Sequence, residues 1–460
     1  MKNRRSHSII LLVFDIIAVF VVFNLAGWLR GIAGPDNWII SPLLGPLVIV
    51  VIAIYLIDGY RSRTEMMGAD YTSQHVVALM AAFFATLLLT YVLITEAFSL
   101  QGSRLVLAAA FVVLAGVTLT YRRSIHRWVK FDQQDRVVLF VGTQEAGNSF
   151  IEVCKQNGME QKIICAITDG EDVPSVQARE DEILRDYEDV WSEISSGSIR
   201  LEAIVLRESS DSLPEVMMEE LTGLFFRGVP TYTLELFFET YWRKIPLYRI
   251  NHVWLFQEGF EIARNPVFER TKRAVDIMLA GAGLILFLPI MCLAAVAIKI
   301  EDGGPVFFRQ VRVGRLREKF RIIKLRSMKS DSVATGENRY TQDSDPRITK
   351  VGSFLRKTRI DEIPQLMNVI GGEMSLIGPR AEWDQLAEEY ENEISCYHYR
   401  HLVRPGITGW AQINYPYGAS LDDTLRKLEY DLYYIRHFSF VMDAAIVLRT
   451  INIMLFGKGR

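Results

Sequence analysis

Apolar residues are unevenly spread along the chain. Four long apolar runs fall at residues 9–29, 39–57, 76–95 and 105–121, and a fifth at 274–300. A helix crossing ~30 Å of hydrocarbon needs roughly 20 apolar residues. The first four runs therefore predict a four-helix transmembrane bundle over residues 1–130. Asp15 interrupts the first run; a carboxylate facing lipid is costly, so it is expected to face the bundle or lie near the interface. No small-residue cleavage site follows that run, which reads as an anchor. Lys2, Arg4 and Arg5 precede the bundle, Arg61 and Arg63 lie in its second loop, and Arg122, Arg123, Arg127 and Lys130 follow it, whereas the alternate loops carry only Arg30 and Arg104. The positive-inside rule then puts both ends of the bundle in the cytoplasm.

The fifth run has a different pattern. Arg270, Lys272 and Arg273 precede it, and Lys299, Arg309, Arg312 and Arg315 follow it. Basic flanks on both sides disagree with a simple span. Pro289 sits inside, where it removes a backbone hydrogen bond and bends a helix. These features predict a re-entrant helix over 274–300 that breaks at Pro289 and returns to its own side; a kinked spanning helix would carry a similar proline.

Between these membrane segments the period changes. Strand-like runs at 136–141, 163–167 and 203–206 alternate with helical stretches, including 214–227, and predict a Rossmann-like α/β domain over 131–265. The turn Gly142-Thr-Gln-Glu-Ala-Gly147 resembles a dinucleotide fingerprint, but Gln144 replaces the glycine that lets backbone approach a pyrophosphate. Residues 231–252 read as a connector, with Tyr241, Trp242 and Tyr248 facing membrane or a second subunit. The net charge of −3 over 460 residues hides strong local differences. Cys154, Cys165, Cys292 and Cys396 form no CxxC pair, which argues against a zinc site or disulfide framework.

The chemistry concentrates in the C-terminal segment, 266–460. Residues 299–359 hold 16 Lys and Arg against 7 Asp and Glu, a surface suited to anionic headgroups and phosphate-bearing substrates. Lys324 and Arg326 share a side if their run is extended; an exposed strand face would read the same. Asp361 and Glu362 are adjacent carboxylates in this basic surrounding, which is expected to keep them ionised, able to attack phosphorus or bind a metal. An ordinary helix start with Pro364 in its first turn reads the same way. Gly378-Pro-Arg380 and Arg404-Pro-Gly406 each place an arginine in a rigid turn, where the planar fork suits bidentate phosphate contact, although either turn also reads as purely structural.

Together these residues resemble the large, multi-pass members of the monotopic phosphoglycosyl transferases, the bacterial sugar transferase family. The matching pieces are Lys272-Arg273 with Asp276, residues 304–310 and 320–328, Asp361-Glu-Ile-Pro-Gln-Leu366, Gly378-Pro-Arg380 and residues 404–414. Residues 414–420 look like the exopolysaccharide branch linked to sorting-enzyme systems. The resemblance implies a C-terminal monotopic α+β catalytic domain. It also implies transfer of a sugar 1-phosphate from a UDP-sugar to undecaprenyl phosphate, initiating exopolysaccharide, capsule or O-antigen units. Asp361 would be the nucleophile and Glu362 a ligand of Mg2+, while Lys324, Arg326, Arg356, Arg380 and Arg404 would be phosphate-binding or site-organising. The implied location is the bacterial inner membrane with the catalytic domain on the cytoplasmic side, in contact with lipid, as a homodimer, without nucleic acid. Leu288, where many relatives have serine, and Ala381, where many have proline, depart from the pattern; Ala381 puts the local turn in question. A non-catalytic scaffold for polysaccharide assembly and a transporter component are the rival readings. The intact Asp361-Glu362 pair argues against the first, and the shortage of polar residues in the early runs argues against the second.

Overall fold

The computed structural model describes residues 2–29, 31, 33–34, 36–61, 64–90, 104–133, 136–159, 161–167, 182–207, 214–247, 266–329, 347–394, 396–416, 418 and 420–456. Arg30, Arg63, residues 91–95 of the third run, Tyr248 with the rest of the connector to 252, and residues 330–346 of the basic stretch lie outside them. The protein is mixed α/β, with apolar helices of membrane length and a parallel sheet. It divides into two compact units, residues 1–243 and 244–460.

The first unit begins with helices α1 (Lys2–Trp28), α2 (Leu44–Leu56), α3 (Ala69–Leu88) and α4 (Arg104–Gln133). The parts His7–Trp28, Ala69–Leu88 and Val106–Trp128 are long and apolar enough to cross a membrane. The second run departs from expectation. Pro42 lies in a 3-10 turn at Ser41–Leu43, and regular helix starts only at Leu44, leaving 13 residues in α2, about 20 Å at 1.5 Å per residue. Asp15 is fully buried. It accepts hydrogen bonds from Tyr60 (2.6 Å) and Tyr121 and pairs with the buried Arg122. A carboxylate inside an apolar bundle is tolerated when its charge and lone pairs are matched in this way.

Five parallel strands follow: β1 (Arg136–Gly142), β2 (Lys162–Ile167), β3 (Glu182–Asp186), β4 (Arg200–Leu206) and β5 (Thr231–Thr233), in the order β3-β2-β1-β4-β5. This is the strand order of a doubly wound half. Helices α5 (Gln144–Gln156), α6 (Tyr187–Ser195), α7 (Glu215–Phe226) and α8 (Leu234–Trp242) connect and follow the strands. Side chains alternate across β1: Val138 and Phe140 join one core, Val137, Leu139 and Val141 the other. Gly147 allows α5 to approach the sheet, because a Cβ there would lie 3.1 Å from Leu184 and 3.3 Å from Cys165. The glycine turn is thus explained by packing.

The second unit starts with α9 (Pro266–Asp302), which is 37 residues long. Pro289 lies inside it, and the expected break there does not interrupt the helix. An antiparallel hairpin follows, β6 (Phe307–Val313) and β7 (Lys319–Leu325). Then come α10 (Lys350–Thr358), α11 (Gln365–Gly371), β8 (Ser375–Ile377), α12 (Asp384–Glu393), β9 (Gly406–Thr408), α13 (Trp410–Asn414), α14 (Leu421–Arg436) and α15 (Phe440–Phe456). Strand β8 pairs parallel with β9, and Ser420 with Asp423 forms a capping box on α14.

Both ends of α9 are fastened to this unit. At its start, Lys272 pairs with the buried Asp443 (2.6 Å), Asp276 accepts from Ser375 Oγ (2.8 Å) and Leu376 N (3.2 Å), and Arg273 donates to the carbonyls of Val369 and Ile370. At its end, Ala294 and Ile298 pack with Leu325 and Leu355, and Glu301 accepts from Lys350 N (2.7 Å). Between them, Ile285, Leu286, Leu288 and Leu293 are exposed. Helix α10 in turn lies hard against the β7 end: a Cβ on Gly352 would collide with the Ser327 carbonyl. Gly352→Ala is therefore expected to destabilise the folded protein by about 1–3 kcal/mol through overpacking, read as a lowered Tm of the detergent-solubilised chain.

Candidate active site

The carboxylate pair sits on a junction. Helix α10 ends at Thr358, and Arg359 turns the chain with φ 56° and ψ 19°, a left-handed conformation uncommon for a residue with a side chain. Ile360–Glu362 then make a single 3-10 turn, Pro364 follows, and α11 begins at Gln365. The pair does not lie on the first turn of a regular helix. Thr349 Oγ1 accepts from Gly352 N (2.9 Å) at the start of α10, beside the Glu301 contact. The far end of α9 thus caps the helix that presents the pair.

Glu362 is enclosed by cations. Lys324 on β7 donates to its Oε1 at 2.9 Å, while Arg359 and Arg380 approach its carboxylate at 3.7 and 3.9 Å. Burial pushes Glu362 up, but Lys324, Arg380 and Arg359 outweigh that effect and hold it down to about 2. Asp361, also buried, behaves differently. Burial and then the Glu362 charge push it up to about 6, and Lys324 and Arg356 only partly offset this. The expectation that a basic neighbourhood keeps both carboxylates low holds for Glu362 alone. Burial also lowers Lys324, opposed by Glu362. Two adjacent carboxylates with separated pKa values are a common sign of divided roles.

Arg380 is delivered by the turn between β8 and α12. Gly378 N donates to Thr408 O (2.9 Å), and a Cβ at Gly378 would strike the Arg404 carbonyl. The backbone carbonyl of Arg380 accepts from the buried Arg400 (2.9 Å), which pairs with Asp431 (2.9 Å). Ala381 is buried and its carbonyl accepts from Arg312 (3.0 Å), so the turn forms without the proline common in relatives.

Of the residues expected here, the structure brings together Asp361, Glu362, Lys324, Arg356 and Arg380. It does not bring Arg326 or Arg404 to the pair. Arg326 is buried against Asp302 at the end of α9, and Arg404 binds Glu269 (2.8 Å) and the Gly372 carbonyl (3.0 Å) at its beginning. Strand alternation misled the reading of Arg326: β7 ends at Leu325, so the residue beyond it leaves the strand pattern. Pro289 lies in the exposed middle of α9, in no contact with the pair.

Residues 267–457 match the profile of the bacterial sugar transferase family. Among curated proteins, the chain is 41% identical over 263 residues to the UDP-N-acetylgalactosamine-undecaprenyl-phosphate N-acetylgalactosaminephosphotransferase of Aeromonas hydrophila, covering 57% of this chain and 61% of that protein. It is 47% identical over 187 residues to the UDP-glucose:undecaprenyl-phosphate glucose-1-phosphate transferase of Escherichia coli K12, 39% of each. It is 38% identical over 195 residues to the exopolysaccharide production protein PSS of Rhizobium leguminosarum bv. phaseoli, covering 41% of this chain and 97% of that one. The chain belongs to the bacterial sugar transferase family. The matches span less than two thirds of the first two relatives' own lengths.

For a bacterial sugar transferase, two site residues escaped the sequence reading. Arg359 reaches Glu362 three positions on, a spacing present in Arg356-Lys-Thr-Arg359 but indistinguishable from its basic neighbours. Gln365 lines an adjoining pocket. Among the described residues no group of three or more His, Cys, Asp or Glu gathers to hold a metal. Glu362, the expected Mg2+ ligand, already carries Lys324 and two nearby arginines. This donor set does not fit a metal ion held by the protein alone.

The two carboxylates affect stability with opposite sign. Asp361 titrates at about 6 in the folded chain against 3.8 ordinarily, so its ionisation destabilises the fold progressively as pH rises through that window and fully above it. Asp361→Asn is expected to raise Tm near pH 7, the gain vanishing below pH ~4, where the carboxyl is protonated in both states. Glu362→Gln strands Lys324 and is expected to cost about 3–5 kcal/mol near pH 7. Thermal unfolding against pH measures both.

Proposed function

We propose that this chain transfers a sugar 1-phosphate from a UDP-sugar to undecaprenyl phosphate, with Asp361 as the nucleophile. The observation that carries the proposal is the division of the carboxylate pair. Glu362 is locked in an ion-paired cage, whereas no side chain among the described residues hydrogen-bonds the Asp361 carboxylate. A buried carboxylate that no side chain holds by a hydrogen bond is a better nucleophile than one held by a lysine. An Asp361 oxygen attacks the β-phosphorus of the donor. The bond from that phosphorus to the bridging oxygen breaks, UMP leaves with the electron pair, and a phosphosugar-aspartyl ester remains. A phosphate oxygen of the polyprenyl acceptor then attacks the same phosphorus, releasing the aspartate and forming a polyprenyl-diphosphate sugar.

Lys324, Arg356 and Arg380 would offset the charge of the substrates' phosphates, which is the main electrostatic demand of phosphoryl transfer. Glu362 orders Lys324 and Arg380 so that they require little reorganisation. Arg326 and Arg404 serve by fastening the two ends of α9. The relatives' names specify different sugars, N-acetylgalactosamine and glucose, and none is assigned to this chain.

The fastening of α9 supports a re-entrant helix. Both of its ends bind one globular unit, through Lys272 and Asp276 at the start and Ile298 and Glu301 at the end, although by length and composition the helix is also able to cross a membrane. A helix whose two ends belong to one folded unit enters a leaflet and returns more readily than it crosses. In this reading, which the basic flanks support, the catalytic unit works on the cytoplasmic face of the inner membrane, and the Asp361 turn meets the acceptor's phosphate at headgroup level.

Membranes bearing the chain are expected to convert a radiolabelled UDP-sugar from a panel into organic-extractable lipid. Asp361→Asn is expected to abolish conversion without loss of membrane insertion; turnover equal to wild type would remove the nucleophile assignment. The rate of wild type should fall as pH drops through about 6, because protonation of Asp361 removes its nucleophilic form. In a cysteine-free background, Arg270→Cys and Lys299→Cys should both react only with reagent applied from the cytoplasm. Labelling of either from the periplasm would exclude the re-entrant arrangement.

A further inference from the structure

Beside the carboxylate pair lies a narrow pocket whose polar lining is Arg312, Lys324, Gln365, Arg380 and the backbone of Gly406. Its apolar walls are Ile322, Met374 and Ile407, and no carboxylate lines it. Gln365 is 3% exposed, yet its Nε2 has no hydrogen-bond partner among the described residues. A buried amide N–H left unpaired destabilises a fold by the desolvation it suffered. An apolar side chain of the same length would avoid that penalty, so the donor calls for an acceptor from outside the described residues.

The pocket indicates which acceptor. Three cationic side chains and an amide donor converge, so the complementary group is an oxygen bearing negative charge. The enclosed space is about the size of one oxygen-sized group. Lys324 and Arg380 line this pocket and also contact Glu362, whose neighbour is Asp361. An oxygen seated here therefore belongs to a phosphate near the proposed nucleophile. We propose that Gln365 donates a hydrogen bond to a non-bridging phosphate oxygen of the nucleoside-diphosphate donor and so sets the orientation of its diphosphate. The cations supply attraction, which is weakly directional, while the amide N–H fixes one oxygen in place without adding a fourth buried positive charge. This rests on the donor substrate of the proposed function.

The test uses the full-length, detergent-solubilised chain and two variants. Gln365→Met keeps the length and removes the donor; Gln365→Glu keeps the shape and replaces the donor with a charge. Thermal unfolding is followed with increasing UDP in the presence of EDTA, with uridine as the phosphate-free control, and transfer is assayed separately with donor and acceptor varied in turn. The expected result is a ligand-free Tm for Gln365→Met at or above that of wild type. UDP should act on both variants only at concentrations at least tenfold higher, and kcat/KM for the donor should fall at least tenfold with the acceptor KM unchanged. A ligand-free Tm below wild type, with UDP acting at the same concentration, would overturn the assignment and make Gln365 a structural residue or the anchor of a buried water. If Gln365→Met does not fold, the UDP response of Gln365→Glu is judged by the same criterion. Should wild type transfer no sugar at all, the proposed function fails, and the UDP titration still decides the pocket.

Discussion

A carboxylate enclosed by three cations organises the second unit. Glu362 sits on a single turn between two helices, and its partners come from three other places in the chain: Lys324 from a strand, Arg359 from a left-handed residue, Arg380 from a glycine-proline turn. Burying Glu362 or Lys324 alone would be costly; enclosing them together is tolerated because each offsets the other, with Arg359 and Arg380 approaching from the more exposed side. The cluster thereby fixes where α10, β7 and the Gly378–Arg380 turn meet. The same enclosure leaves the adjacent Asp361 near cations yet without a side-chain hydrogen-bond partner among the described residues. One arrangement thus gives two neighbouring carboxylates different chemistry.

Around this cluster, polar contacts tie the apolar helix α9 to the soluble elements. Asp276 satisfies the start of β8, Lys272 reaches Asp443, Glu301 caps α10, and Asp302 holds Arg326. Lys272, Asp276, Arg326 and Arg404 join α9 to the elements that bear the site. The Gln365 donor in the adjoining pocket is the complementary case, a polar group that satisfies nothing within the described chain.

Much of this was legible in advance. Run length identified the apolar helices, since hydrocarbon thickness sets a length that few soluble segments reach. Short continuous apolar runs identified the strands at 136–141, 163–167 and 203–206, because their side chains are buried on both faces of one sheet. The strands at Glu182–Asp186 and Thr231–Thr233 were missed; one lies at each edge of the sheet, where burial patterning is weak. Motif spacing singled out Asp361, Glu362, Lys324, Arg356 and Arg380. Arg326 and Arg404 carried the same signal and turned out to be tied to acidic residues at the two ends of α9.

The sequence by itself determined which segments are apolar enough for a membrane, which short apolar runs form strands, and which short runs combine carboxylate, arginine and glycine. Those are properties of neighbouring residues, set by side-chain chemistry and backbone period. Only the tertiary structure decided which charges pair, that Glu362 rather than Asp361 takes the lysine, and that Gln365 keeps an unmatched donor. Charge pairing and desolvation depend on distances between residues far apart in the chain, and no local pattern encodes them.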